Sequence, residues 1–95
     1  TFGFPVYNSM GNDGEVPFPR YGDQNMGGHA VLAVGYDNAY QFTTGEKGAI
    51  IFQNSWGADW GFSGFGLIPY DYFDNSLALD IWAIFNQEWV NLKEF

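Results

Sequence analysis

Along this chain the apolar positions fall in runs of strand length, separated by segments rich in glycine, proline, asparagine and aspartate. Phe2 to Tyr7 (FGFPVY), aromatic and β-branched, predicts a strand, with Pro5 marking an edge or a bulge. His29 to Tyr36 (HAVLAVGY) is a near-continuous apolar run and predicts a strand buried on both faces. Tyr40 to Thr43, Ala49 to Gln53 (AIIFQ), and Gly66 to Tyr70 with a stop near Pro69 predict three more. Leu79 to Phe85 (LDIWAIF) is the last, with Leu79, Ile81, Ala83 and Phe85 on one face and Trp82 and Ile84 on the other. Asn86 to Phe95 reads as a tail with a short amphipathic helix.

The polar segments set the connections. Asn8 to Gly28 predicts one long loop, in which Pro17-Phe18-Pro19 makes a rigid surface turn. A loop of that length in a small domain has a function of its own or is mobile. Asp37-Asn38 and Thr44 to Gly48 predict turns, and Gly57 to Gly66 is too irregular for a helix. Five or six strands joined this way predict a mainly β fold, an antiparallel sheet curled into a barrel or half-barrel.

Composition narrows the function classes. Aromatic residues make up 21 % of the 95 positions, and rings of that size fill a small core efficiently. Eleven acidic residues against three basic ones give a net charge of −8. That balance argues against nucleic acid and against an anionic membrane surface, since both need clustered Lys and Arg. It serves solubility, and it permits a cationic substrate without requiring one. No apolar stretch, Ala30 to Val34 included, approaches the roughly 18 residues that span a bilayer. With no cysteine, the chain itself supplies no disulfide, no thiolate–metal site and no thiol nucleophile. The opening Thr1-Phe2-Gly3-Phe4 lacks the basic start of a signal peptide, and a chain that begins on a strand is expected to have lost its true beginning.

Two segments concentrate chemistry. His29, the sole histidine, opens an apolar strand directly after Gly27-Gly28. An imidazole titrates near neutral pH and serves as general base or acid. Asn54 ends another strand, and its side-chain amide can accept a hydrogen bond from one ring nitrogen, fixing tautomer and orientation. Trp56 and Trp60 follow as apolar plates able to exclude water from such a bond. If the two strands are neighbours, His29 and Asn54 meet at one end of the sheet. On the residues alone the alternatives stay open: a structural histidine, an Asn-Ser-Trp-Gly turn, and tryptophans of a core.

The segments GHAVLAVGYD and NSWGADWGFSGFG resemble the histidine and asparagine motifs of papain-like cysteine peptidases, in the same order and at compatible spacing. Leu67 to Phe73 and Leu79 to Ile84 are similar to the ending of bacterial-type members, and Phe2 to Tyr7 resembles the strand that precedes the loop to the histidine. The resemblance covers roughly residues 1–85. It implies the C-terminal (right) domain of the papain-like α+β fold, one wall of a catalytic cleft, with residues 86–95 as a tail.

The resemblance implies roles residue by residue. His29 matches the histidine that takes the proton of the nucleophilic cysteine and then protonates the leaving amine. Asn54 matches the residue that orients the imidazole. Trp56 matches the indole that shields that contact and borders the substrate groove, and Trp60 resembles a second aromatic in the same wall. Gly27 and Gly28 leave room for substrate backbone, or else serve turn geometry before the strand. No metal and no cofactor is implied.

The family's cysteine and its oxyanion-hole glutamine belong to an N-terminal half. Gln24, Gln41, Gln53 and Gln87 lie on the wrong side of that half or within matched strands, and Ser9, Ser55, Ser63 and Ser76 do not stand in the nucleophile's place. The expectation is a peptidase half whose partner, from the same precursor or a separate chain, carries Cys and Gln. Alone it is inactive, and its uncovered apolar face pairs with that half or self-associates. Peptide or protein is the implied substrate. The competing reading is a non-catalytic binding or structural module that keeps the fold.

Overall fold

The computed structural model describes residues 1–80. Its elements are β1 (Phe2–Tyr7), β2 (Asn25–Gln41), β3 (Lys47–Gln53), β4 (Phe65–Pro69), a single-turn helix α1 (Tyr70–Asp74) and β5 (Leu79–Asp80). All ladders are antiparallel, and the five-stranded sheet has the order β4-β3-β2-β1-β5. Among the described residues the sheet stays open at β4 and β5, so the antiparallel sheet is met in its half-barrel form.

The curl comes from β2. Its 17 residues, at about 3.3 Å each, would reach about 56 Å if straight. The molecule is 32 Å across in its longest direction, so β2 has to bend. It bends where its register against β3 shifts, between Ala33 and Gly35 and again between Asp37 and Gln41. The N-terminal part of the strand pairs with β1 and the C-terminal part with β3. Asp37-Asn38, expected as a turn, lies within β2 at the second of these irregularities. The expected Tyr40 strand is the end of β2, and the chain reverses only at residues 42–46. Asn25 to Gly28, expected as the end of the loop, pair with Tyr7 to Pro5 and open β2 instead.

Half of the buried core is aromatic, as the composition suggests. Phe4 is fully buried, with the rings of Phe2, Phe52 and Tyr72 at 6.0, 5.7 and 6.1 Å. Val6, Val16, Val31, Trp60, Ile68 and Ala78 complete it. Tyr72, on α1, is buried and donates its hydroxyl hydrogen to the carbonyl of Pro17 at 2.8 Å, which ties the long loop to the core. Burial pushes the Tyr72 phenol above its ordinary pKa, with nearby acidic groups adding to the rise, so it remains a neutral donor.

One burial expectation fails. Leu32, Val34 and Tyr36 are 49, 51 and 69 % exposed, so β2 beyond Val31 is not covered on both faces by the described residues. An apolar run marks a strand that something covers, and the sequence cannot say whether the cover lies within this segment. The last strand is described only over its first two residues, Leu79–Asp80, paired to Phe2 and Gly3. The remainder of the expected strand, to Phe85, and the expected 86–95 tail lie outside the described residues.

Candidate active site

β2 carries His29, directly opposite Phe4 of β1. β3 ends at Gln53, opposite Leu32 of β2, so the next residue, Asn54, comes level with Val31. Val31 and His29 are two apart on one strand and project to the same face. The register therefore delivers an imidazole and an amide to one end of the sheet. Both side chains are buried, at 2 and 8 % exposure.

His29 Nε2 and Asn54 Oδ1 are 2.8 Å apart. An amide oxygen only accepts, so Nε2 carries the hydrogen. Asn54 Oδ1 also accepts from the backbone N–H of Ser55 at 2.8 Å, which holds the oxygen rather than the nitrogen toward the ring. The Asn54 backbone is anchored in turn, its N–H bonded to the Gly64 carbonyl at 3.0 Å. In the neutral ring this tautomer leaves Nδ1 as the basic nitrogen.

Rings enclose the imidazole. Trp56 stacks on it at 5.0 Å with planes 24° apart, and Phe4 meets it edge-on at 5.8 Å and 80°. Trp60 stands edge-on to Trp56 at 5.3 Å and packs on Phe52 at 6.1 Å. Trp60 is itself fixed by its indole N–H, which donates to the Gly11 carbonyl at 3.1 Å. Such walls keep water from the His29–Asn54 bond and strengthen it.

The glycines around Trp60 are spatially required. A Cβ on Gly66 would come within 2.4 Å of Phe52 and 2.8 Å of the Trp60 ring. Gly61 has φ +60°, and a Cβ there would meet the Phe65 carbonyl oxygen at 2.5 Å. The segment from Gly57 to Gly66 is thus a tight packing solution, though it shows no regular pattern in sequence.

Of the six residues singled out from sequence, His29, Asn54, Trp56 and Trp60 are brought together. Gly27 and Gly28 precede His29 on β2, opposite Val6 and Pro5. Gly27 has φ +122° and its N–H bonds to the Asn25 side chain at 2.8 Å, so backbone geometry alone calls for glycine there. Three contributors escape sequence reading. Phe4 is one of several apolar residues of the β1 run, with nothing in sequence to set it apart. The Ser55 N–H and the Gly11 carbonyl are backbone groups with no residue signature.

A second network lies outside this cluster. Glu15 Oε1 accepts from the Thr43 backbone N–H at 3.2 Å and the Thr43 hydroxyl at 2.9 Å, and Oε2 accepts from the Tyr40 hydroxyl. Burial alone would raise the Glu15 carboxyl, but these donors outweigh it and leave the pKa below the usual value. Tyr40 is pushed up to about 12 by burial, then by its bond to Glu15 and the charges of Glu15 and Asp13.

The family model for papain family cysteine proteases matches residues 16–78 of the chain. The chain belongs to the papain family of cysteine proteases. An uncharacterized peptidase C1-like protein of Acanthamoeba polyphaga mimivirus is 43 % identical over 88 % of this chain and 27 % of its own length. Xylellain, a cysteine protease from Xylella fastidiosa, matches in structure with a TM-score of 0.70 and 42 % identity, over 83 % of this chain and 29 % of that one. This papain-family chain therefore spans little more than a quarter of the length of the relatives it matches. The mainly β architecture agrees with a C-terminal domain of the papain-like fold.

Proposed function

We propose that this chain is the His/Asn half of a papain-like cysteine peptidase that hydrolyses peptide bonds, with residues 1–85 as the wall of the cleft and 86–95 as a tail. The observation that carries the reading is the buried 2.8 Å bond between His29 Nε2 and Asn54 Oδ1 under a stacked indole. That bond sets the tautomer in which Nδ1 can take a proton from a thiol.

The chemistry needs a cysteine and an oxyanion donor, expected as Cys and Gln, from a segment beyond this chain or from a partner chain. His29 Nδ1 removes the thiol proton, giving a thiolate–imidazolium pair. The sulfur attacks the peptide carbonyl carbon, and the electron pair moves to the carbonyl oxygen. Collapse of that intermediate breaks the C–N bond as the imidazolium protonates the leaving amine. Water, deprotonated by the same Nδ1, then cleaves the thioester and releases the carboxylate. Asn54 holds the ring, Trp56 and Trp60 wall the site, and Gly27 and Gly28 leave room for substrate backbone.

One further observation supports a missing wall. Leu32, Val34 and Tyr36 present apolar surface along β2.

The test is intact mass spectrometry of the native preparation with an epoxide-type thiol-directed peptidase probe. A cysteine-bearing segment or co-purifying chain takes up one probe, and His29→Ala abolishes uptake. If no such cysteine accompanies the chain, or if His29→Ala leaves labelling unchanged, the non-catalytic module replaces this reading.

A further inference from the structure

We infer that Glu15 is a positioning residue for the His29 site, acting through the loop that holds Trp60. The loop after β1 does two things within a few residues. At Gly11 and Asn12 its carbonyls accept the Trp60 indole N–H at 3.1 Å and the Gly61 N–H at 2.9 Å. At Glu15 its side chain grips the far end of β2 and the turn beyond it, through Tyr40 and both donors of Thr43.

Between these points the loop lies along β4, with Leu67 N–H bonded to the Gly14 carbonyl at 2.7 Å and Val16 N–H to the Leu67 carbonyl at 2.9 Å. Asp13 folds back to accept the Glu15 N–H at 3.0 Å, so residues 11–16 act as one short strap. One end of the strap fixes Trp60, whose edge fixes Trp56, whose face lies on His29. The other end is fastened by a carboxylate that accepts three hydrogen bonds. Charge-assisted bonds of this kind are about twice as strong as neutral ones, so Glu15 is the strap's strongest side-chain fastening.

The rival arrangement is a strap held by its two backbone bonds to Leu67 alone, with Glu15 serving only the turn at Thr43. The two cases differ at Trp60, which Glu15 does not touch.

The experiment follows the Trp60 indole N–H by ¹⁵N NMR in the full 95-residue chain, with the signal assigned by Trp60→Phe. In Glu15→Gln, its hydrogen exchange should quicken about tenfold, the loss expected when a charge-assisted bond becomes a neutral one. The core amide of Phe52 should keep its protection. Unchanged Trp60 exchange in folded Glu15→Gln overturns the inference. If Glu15→Gln does not fold, Tyr40→Phe removes one fastening only, and the same quickening must appear there or the inference falls.

A second readout rests on the peptidase reading and uses the probe-reactive preparation described above. Glu15→Gln and Trp60→Phe should each slow labelling, and the double variant should be no slower than the worse single one. Additive losses overturn the relay. Failure of all labelling, with Trp60 exchange still quickened, sinks the peptidase reading and leaves Glu15's positioning role intact.

Discussion

The imidazole of His29 and the indole of Trp56 lie 5.0 Å apart with their planes 24° from parallel, while Asn54, two residues before Trp56, holds the ring's Nε2–H. One short segment thus supplies both the plane of the ring and its tautomer. Neither restraint would suffice alone. A stacked ring can still turn in its own plane, and a single hydrogen bond leaves the ring free to tilt. Together they fix the direction in which Nδ1 points, which is what a proton transfer needs.

Asn54→Leu tests the hydrogen-bond restraint. It keeps the volume but leaves two donors, His29 Nε2–H and the Ser55 N–H, without their acceptor. An unsatisfied buried donor costs about 2 kcal/mol, and urea unfolding should show at least that loss. Ser55→Ala is the control, because Ser55 bonds Asn54 through its backbone N–H. An exposed serine hydroxyl should matter by no more than about 0.5 kcal/mol. Equal losses for the two variants would show that the amide oxygen is not the acceptor that matters.

Gly66→Ala tests the packing beneath the site. The added Cβ meets Phe52 and Trp60 at distances that no relaxed contact shows, and both rings are buried. Overpacking of this kind costs about 1–3 kcal/mol. The lowered stability should come with a shifted Trp60 indole signal, since that ring keeps slight exposure while Phe52 is fully buried. A neutral substitution with an unmoved indole signal would refute the packing account.

The Glu15–Tyr40 pair predicts stability changes at both ends of the pH range. Glu15's folded pKa is depressed, so the unfolded chain binds its proton first as pH falls. Its contribution is present above the ordinary carboxyl range and is lost as pH drops through the depressed value. Tyr40 has the opposite sign in charge terms, because its neutral form is favoured. Its contribution is present below pH 10.0 and is lost as pH rises toward about 12. Glu15→Gln should flatten the acid limb of a stability–pH curve and Tyr40→Phe the alkaline limb, with Asp13 modulating the latter. Parent-like limbs in both variants would remove the pair from the account.

Much of this was legible in sequence because it follows strand chemistry. FGFPVY, HAVLAVGY and AIIFQ state their own pairing segments, and the register joins His29, four residues into β2, to Asn54, just past the end of β3. The helix α1 was not legible, since five residues from Tyr70 to Asp74 make too short a run to show a helical period. Asp37-Asn38 misled because Asx residues favour turns as well as bulges, and only the ladder with β3 separates the two. The strap through Gly11 and Glu15 is long-range, joining residues about thirty to fifty positions apart, and no local pattern encodes it.

The exposed middle of β2 gives the last prediction. Leu32 and Val34 are each about half exposed and Tyr36 more so. Desolvating such side chains yields about 25 cal/mol per Å² of apolar surface, a driving force that the described residues leave unsatisfied. The isolated chain should therefore self-associate in sedimentation velocity runs, with the oligomer fraction rising with concentration. Leu32→Ser with Val34→Thr should lower that fraction while the far-UV spectrum stays the same. If the segment that completes the relatives' length is supplied in trans, it should compete for the same surface and dissolve the self-associated species into a one-to-one pair. A monodisperse monomer at high concentration, indifferent both to the substitutions and to the added segment, would mean that this surface needs no cover.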